Sequence, residues 1–162
     1  MALRALSIVL AVIVLTVAAV APAAACFGPK LYIGVAAEPR QELLFAAVSL
    51  YIQEKTGVEC EKVVLAPAAD PGAELRAERV DLAFAPAVVA GADTLLAIPG
   101  YPLLASGTRP LTDLQFTTVA PAVRKLATLL TAGDLAALEA RVAAGETPLA
   151  AVRRLFKERR WI

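Results

Sequence analysis

The sequence contains no histidine and is poor in cysteine, methionine and tryptophan: among its 162 residues are two cysteines, one methionine and one tryptophan. Without histidine, a protein cannot form histidine-based catalytic triads, most zinc sites or covalent haem attachments. A glycine-rich phosphate-binding loop is also missing, because Gly34 stands isolated in its segment. These absences argue against an enzyme, and we expect neither a cofactor nor a metal.

The chain also lacks an excess of charge of either sign. It has 16 basic and 15 acidic residues. Removal of the first 25 residues would take only Arg4 from this balance and leave 15 of each. A neutral chain lacks the excess of positive charge with which proteins bind nucleic-acid phosphates, so we expect no nucleic-acid partner.

Residues 1–25 have the three parts of a secretory signal peptide. Arg4 precedes an uncharged apolar run over residues 5–20, and Pro22 and three alanines follow. The alternative is a membrane anchor, but the run is shorter than the roughly 20 apolar residues that a spanning helix needs. The sequence therefore predicts export to the periplasm or the extracellular space, with one mature domain over residues 26–162.

Cys26 and Cys60 are the only two cysteines. In an oxidising compartment we expect a disulfide between them, because Cys26 precedes the first predicted strand and Cys60 lies early in the neighbouring one. A second hypothesis is that Cys26 is acylated, because the preceding alanines resemble the end of a lipoprotein cleavage motif. In a third, both thiols stay unlinked and Cys60 packs as a small apolar residue.

The first half of the mature chain predicts strands alternating with helices. Residues 30–35 and 58–65 are extended patterns that flank a helical repeat closed by Gly57. Asp70 and Pro71 predict the start of a helix that runs to about residue 79, and residues 80–84 predict a third strand. Such alternation predicts a small doubly wound α/β sheet.

The second half becomes helical after an irregular segment. Residues 91–112 are rich in glycine and proline, and within them 95–98 and 101–104 are either short strands or connectors. Residues 115–119 look extended, and a helix is predicted from Pro121 to about residue 130. Thr131 and Asp134 suit a capping box, Gly145 ends that helix, and Thr147 with Pro148 begins the last one. For its basic residues we expect a solvated face rather than a membrane or anion site; they are Arg153, Arg154, Lys157, Arg159 and Arg160.

Taken in order, these segments resemble the substrate-binding proteins of glycine betaine, choline and proline ABC importers, which have a periplasmic-binding-protein type II fold. The opening resembles the family in KLYIGV, RQELLFAAVSLYIQEKTG, VECEKVVLA and AELRAERVDLAF. The ending is similar in LQFTTVAPAVRK and LTAGDLAALEARVAAGETPLAAVRRLFKERRWI. The resemblance implies a single doubly wound lobe of that kind with C-terminal helices.

Members of that family have two lobes that close on a ligand, and the chain passes from one lobe to the other and back. About thirty residues separate Phe84 from Leu114 here, too few for a second α/β lobe. The resemblance thus implies an importer's solute-binding component reduced to one lobe, with an ABC permease as partner and a homodimer as one way to rebuild the cleft. The alternative is a periplasmic adaptor or interaction module derived from such a protein.

Ligands of open parallel sheets bind outside the carboxyl ends of the strands. The polar residues best placed there are Glu38 and Arg40 after the first strand and Asp70 after the second, with Tyr101 as the nearest aromatic candidate. Quaternary ammonium ligands are normally held by several aromatic faces. The strand ends carry Ala36 and Ala37 instead, so the sequence does not predict an aromatic cage.

Overall fold

The computed structural model describes residues 29–162. The predicted signal peptide, and Cys26 with its disulfide or lipid, lie outside the described residues. Five strands form one sheet: β1 (Lys30–Ala36), β2 (Glu59–Leu65), β3 (Leu82–Ala85), β4 (Asp93–Leu96) and β5 (Leu103–Ser106). The helices are α1 (Pro39–Thr56), α2 (Pro71–Arg76), α3 (Arg109–Thr112), α4 (Val119–Leu129), α5 (Ala132–Ala143) and α6 (Pro148–Glu158), with one 3-10 turn at Leu114–Phe116.

The sheet is mixed, with strand order β2-β1-β3-β5-β4. Strand β1 pairs in parallel with β2 and β3, whereas β5 runs antiparallel to both β3 and β4. The prediction of three strands separated by two helices is confirmed for the first half of the chain. The two short strands in the glycine- and proline-rich segment extend this parallel unit into a mixed α/β sheet.

Helix α1 forms because its apolar residues recur at helical spacing and its ends are defined. Pro39 occupies the first turn, and Gly57 ends the helix at φ 74°, where its N–H donates to the Gln53 carbonyl at 2.9 Å. A left-handed residue at this position favours glycine, because a side chain would clash with the backbone. The helix lies over the sheet and packs against α4 and α6.

The core has two unequal parts, one on each face of the sheet. The larger joins β1 and β3 to α1, α4, α5 and α6 through fully buried side chains such as Leu31, Ile33 and Phe156. The smaller lies beneath α2 and contains Leu65, Leu75, Val80, Ala83 and Ala105. The sheet is therefore covered on both faces, heavily by the C-terminal helices and lightly by α2.

Three local predictions need correction. Residues 115–119 are not extended: a 3-10 turn and the start of α4 occupy them, because Phe116 and Val119, both fully buried, lie three residues apart as on a helix. Helix α2 ends at Arg76 rather than near residue 79, and Glu78 follows with φ 54°. Helix α4 begins at Val119, two residues before Pro121.

The helix starts predicted at Thr131 and Thr147 are confirmed. Thr131 accepts a hydrogen bond from the Asp134 N–H, and Asp134 accepts one from the Thr131 N–H, which completes the capping box. Thr147 accepts from the Ala150 N–H at the start of α6. These reciprocal bonds satisfy backbone donors that a helix start leaves unpaired.

Candidate functional site

The carboxyl-terminal edge of the parallel strands carries all four residues that the sequence singled out. Glu38 and Arg40 follow β1, Asp70 follows β2, and Tyr101 lies in the connection between β4 and β5. Strand β5 is antiparallel to both β3 and β4, so β4 runs parallel to β3. The connection that follows β4 therefore lies at the same edge as the carboxyl end of β3. The structure brings three of these residues to one place and leaves Asp70 apart.

Arg40 is the centre of the cluster at this edge. Its Nε donates to the Glu139 Oε1 at 3.0 Å, and its guanidinium carbon lies 5.5 Å from the centre of the Tyr101 ring. The three side chains come from α1, from α5 and from the β4–β5 connection, and 99 positions separate Arg40 from Glu139. We refer to Arg40, Glu139 and Tyr101 as the carboxyl-edge cluster.

Glu139 was missed by sequence reasoning, because nothing in its local pattern distinguishes it from other polar residues of an amphipathic helix. Its carboxylate becomes notable only through its contact with Arg40. Partial burial raises the pKa of the Tyr101 hydroxyl above its ordinary value; the negative charge of Glu139 and a hydrogen bond to it add to this rise, and Arg40 opposes it. The tyrosine therefore stays a neutral hydrogen-bonding group at physiological pH.

A cleft of about 540 Å³ opens beside this cluster, between the first turn of α1 and the second half of α5. Its apolar lining consists of Pro39, Leu43, Val142 and Ala143, and its charged lining of Glu38, Arg40 and Glu139. This volume lies within the range of small-molecule sites, which combine apolar walls with a few placed polar groups. The cleft is the structure's best candidate for a solute site.

Glu38 is available in this cleft because α1 does not use its side chain. It occupies the N-cap position in extended conformation, yet its carboxylate makes no capping hydrogen bond. Within residues 29–162 it has no ion pair either. A carboxylate at the positive end of a helix dipole is stable there even without a partner.

Asp70 is an ordinary helix cap and is not part of the cleft. Its Oδ1 accepts from the Gly72 N–H at 2.9 Å, and its Oδ2 pairs with Arg76 at 3.4 Å. Both carboxylate oxygens thus have partners within α2 or at its start. The sequence placed Asp70 at the correct edge but could not show that α2 engages it.

The prediction about an aromatic cage concerns this same cleft: none of its seven lining residues is aromatic, and Tyr101 lies next to it against Arg40. The Arg40 guanidinium already lies over its ring. The ring–ring contacts of Phe156 with Tyr51 and with Trp161 belong to the core and the C-terminus. Recognition by this cleft would therefore rest on charge pairs and apolar contact.

A related group of side chains lies at the opposite, amino-terminal edge of the sheet. Asp81 is buried just before β3, accepts from the Tyr32 N–H at 2.8 Å, and pairs with Arg109 at 3.2 Å. Arg109 also donates to the Lys30 carbonyl at 2.9 Å and lies 4.8 Å from the centre of the Phe116 ring. We refer to Asp81, Arg109 and Phe116 as the amino-edge cluster, whose bonds hold the starts of β1 and β3 together.

Cys60 is half-buried on β2 beside Leu31 and packs against the larger core. Burial, with the nearby charges of Glu59 and Asp81, raises the pKa of its thiol to about 12. A thiol so rarely ionised reacts slowly. Whether it pairs with Cys26 stays a prediction, because Cys26 lies outside the described residues.

Residues 29–162 lack two further features. No helix in this part of the chain has the length and apolar character to cross a membrane. No group of three or more histidine, cysteine, aspartate or glutamate side chains there is arranged to hold a metal ion.

The exposure of the segment around Tyr101 discriminates between a protein partner and a solute. Exposed apolar residues at 101–104 would favour a protein partner. Leu104 is fully buried and Tyr101, Pro102 and Leu103 are only partly exposed, whereas the adjacent cleft has a charged rim. By this criterion the edge resembles a solute site more than a protein-docking surface.

Comparisons with known proteins do not identify a family for this chain. No protein-family model, no curated protein and no solved structure matches the chain.

Proposed function

We propose that this chain is the exported solute-binding component of an ABC importer, for a small ligand of the osmoprotectant, quaternary ammonium or amino-acid class. The observation that carries the proposal is the cleft at the carboxyl edge, which is lined by Arg40, paired with Glu139, by the carboxylate of Glu38 and by apolar side chains. The ordered resemblance of the opening and closing segments to glycine betaine, choline and proline binding proteins supports it.

The charges of the cleft suit a ligand that carries both signs. Arg40 uses its Nε for Glu139, and its two terminal nitrogens donate no hydrogen bond to a residue of the described chain. They can therefore bind a ligand carboxylate in the two-pronged geometry that guanidinium groups favour. Glu38 and Glu139 supply negative charge for a ligand cation, and Leu43 and Val142 pack against its methyl or methylene groups.

A single lobe supplies only one wall of a closing site. The connection between β4 and β5 spans residues 97–102, so no second lobe is inserted between these strands. Burial of a small ligand normally needs closure from two sides. In this proposal the open cleft binds the ligand by itself, and the ABC permease or a second copy of the chain supplies the opposite wall that completes its burial.

Isothermal titration calorimetry of the full chain against glycine betaine, choline and proline tests the proposal. We expect a binding heat for at least one ligand and at least tenfold weaker binding by Arg40→Gln, because a charge-assisted hydrogen bond contributes about 1.5–3 kcal/mol. Arg76→Gln is the matched control: Arg76 is as exposed as Arg40, and it also makes one ion pair, yet it lies outside the cleft. Absence of heat with all three ligands, or equal loss in both variants, would contradict the proposal.

Sedimentation velocity tests the source of the second wall. If a homodimer rebuilds the cleft, the ligand that gives a binding heat should shift the protein from monomer towards dimer. An unchanged monomer in the presence of that ligand would rule out the homodimer and leave the permease as the source.

A further inference from the structure

Helix α6 carries basic side chains that the fold does not use. Its apolar side contributes Ala151, Val152, Leu155 and Phe156 to the core. The opposite side is exposed and holds most of the positive charge of the C-terminal segment. This charge divides into a paired set and an unpaired set.

The paired set consists of the three arginines that neutralise the acidic groups around the helix. Arg154 pairs with Glu146, Arg159 pairs with Asp134 at 2.8 Å, and Arg141 of α5 pairs with Glu158 at 3.3 Å. These three carboxylates are thus already matched. None of them is left to neutralise the remaining cations of α6.

The unpaired set is Arg153, Lys157 and Arg160. Each side chain is exposed, and none forms an ion pair or a side-chain hydrogen bond with any residue in the range 29–162. Arg153 and Lys157 lie one helical turn apart and therefore share a face, and Arg160 follows two residues after the helix ends. Leu149, 45% exposed, lies one turn before Arg153 on the same face. We call Leu149, Arg153, Lys157 and Arg160 the basic stripe.

We propose that the basic stripe docks the protein on an anionic lipid bilayer, whereas the sequence alone favoured a solvated face for these residues. The stripe runs along a convex helix surface for about 12 Å between Leu149 and Lys157, at 1.5 Å per residue. Three unneutralised cations, two on the helix and Arg160 just beyond its end, complement a negatively charged lipid surface, and the exposed leucine can enter the headgroup boundary. The exposed Leu149 beside the cations favours a bilayer over an acidic protein, because helices bind membrane surfaces through apolar and cationic side chains together.

This inference does not rest on the proposed solute site. The stripe lies on α6, and none of its residues lines the cleft between α1 and α5. The lipid-docking proposal and the solute-binding proposal can therefore be refuted independently.

Sedimentation with lipid vesicles tests the inference on the full chain. We expect binding to vesicles of phosphatidylcholine with 30% phosphatidylglycerol, much weaker binding to pure phosphatidylcholine, and release by 0.5 M NaCl. The variant Arg153→Gln/Lys157→Gln/Arg160→Gln should bind the anionic vesicles about fivefold more weakly per charge removed, roughly a hundredfold in all. The lysine-retaining variant Arg153→Lys/Arg160→Lys should bind like the original chain, since it keeps every charge.

The matched control is Arg76→Gln/Arg124→Gln/Lys125→Gln, which removes three exposed cations from other surfaces and gives the same net charge. It should retain binding, and circular dichroism should show that both triple variants are folded. Equal loss in the two triple variants would overturn the proposal. So would equal binding to neutral and anionic vesicles, which insertion of the apolar residues 5–20 would produce. Binding to polyglutamate without binding to anionic vesicles would overturn it in favour of an acidic protein partner.

Discussion

Each edge of the sheet has an arginine between a carboxylate and an aromatic ring, but the two groups differ in burial. At the amino edge, Arg109 lies between the Asp81 carboxylate and the Phe116 ring. At the carboxyl edge, Arg40 lies between the Glu139 carboxylate and the Tyr101 ring. The carboxylate of Asp81 is 6% exposed and that of Glu139 is 32% exposed. Burial thus makes the first group part of the fold and leaves the second accessible to solvent.

The comparison is most sharply tested at the aromatic rings. Phe116 is fully buried in the larger core, so Phe116→Ala should lower the free energy of unfolding by about 3–5 kcal/mol. Tyr101→Ala should cost clearly less, because Tyr101 is only partly buried at the rim. Urea denaturation followed by circular dichroism measures both. Equal losses would show that the two edges do not differ in structural importance.

The carboxylates provide the second test. Asp81→Ala leaves the Tyr32 N–H and the Arg109 guanidinium without their acceptor, and we expect a loss of about 2 kcal/mol in unfolding free energy. Glu139→Ala should cost less than about 1 kcal/mol, because exposed ion pairs contribute little. A larger loss from Glu139→Ala than from Asp81→Ala in the same urea titration would reverse our assignment of the two edges.

Asp70 lies at the carboxyl edge but, in our interpretation, serves only α2. Asp70→Ala should lower the free energy of unfolding by about 1 kcal/mol, the usual cost of a lost N-cap. The same variant should bind any ligand of the cleft with unchanged affinity in calorimetry. A loss of affinity without loss of stability would place Asp70 in the solute site after all.

The smallest expected effect is a pH dependence at the amino edge. Burial raises the pKa of the Asp81 carboxyl, although the Tyr32 N–H and Arg109 act in the opposite direction. The folded state therefore binds the proton more tightly than the unfolded state. The resulting stability is present below the unfolded pKa of about 3.9 and is lost as pH rises through the folded value. Relative to Asp81→Asn, the original chain should lose stability from pH 3 upwards in urea titrations; a relative gain would contradict the direction of this shift.

Sequence patterns predicted the elements whose signals are local. The β1-α1-β2 unit follows from short apolar runs around a helical repeat that Gly57 closes, and α5 and α6 follow from the capping residues Thr131 and Thr147. The segment around Phe116 misled the prediction, since its aromatic and β-branched residues favour strands by composition. Tertiary packing of Phe116 and Val119 overrides that preference.

The candidate site was predicted only in part, because it is assembled from distant segments. The rule that ligands bind at the carboxyl ends of parallel strands led to Glu38 and Arg40, which do lie at that edge, and the β4–β5 connection brings Tyr101 to Arg40. Their role in binding stays a prediction. Glu139 and the apolar wall of α5 could not be predicted, since no local pattern shows where α5 packs on α1. The family resemblance and the disulfide between Cys26 and Cys60 stay predictions.

The short connection between β4 and β5 makes this fold a ready host for protein engineering. Leu96 and Leu104 are register partners, so the chain leaves and re-enters the sheet at adjacent points. Compact domains often have neighbouring termini and tolerate insertion at such surface turns. A fluorescent or recognition domain spliced into residues 97–102 would therefore lie at the carboxyl edge, next to the contact between Tyr101 and Arg40, and its signal would report changes there.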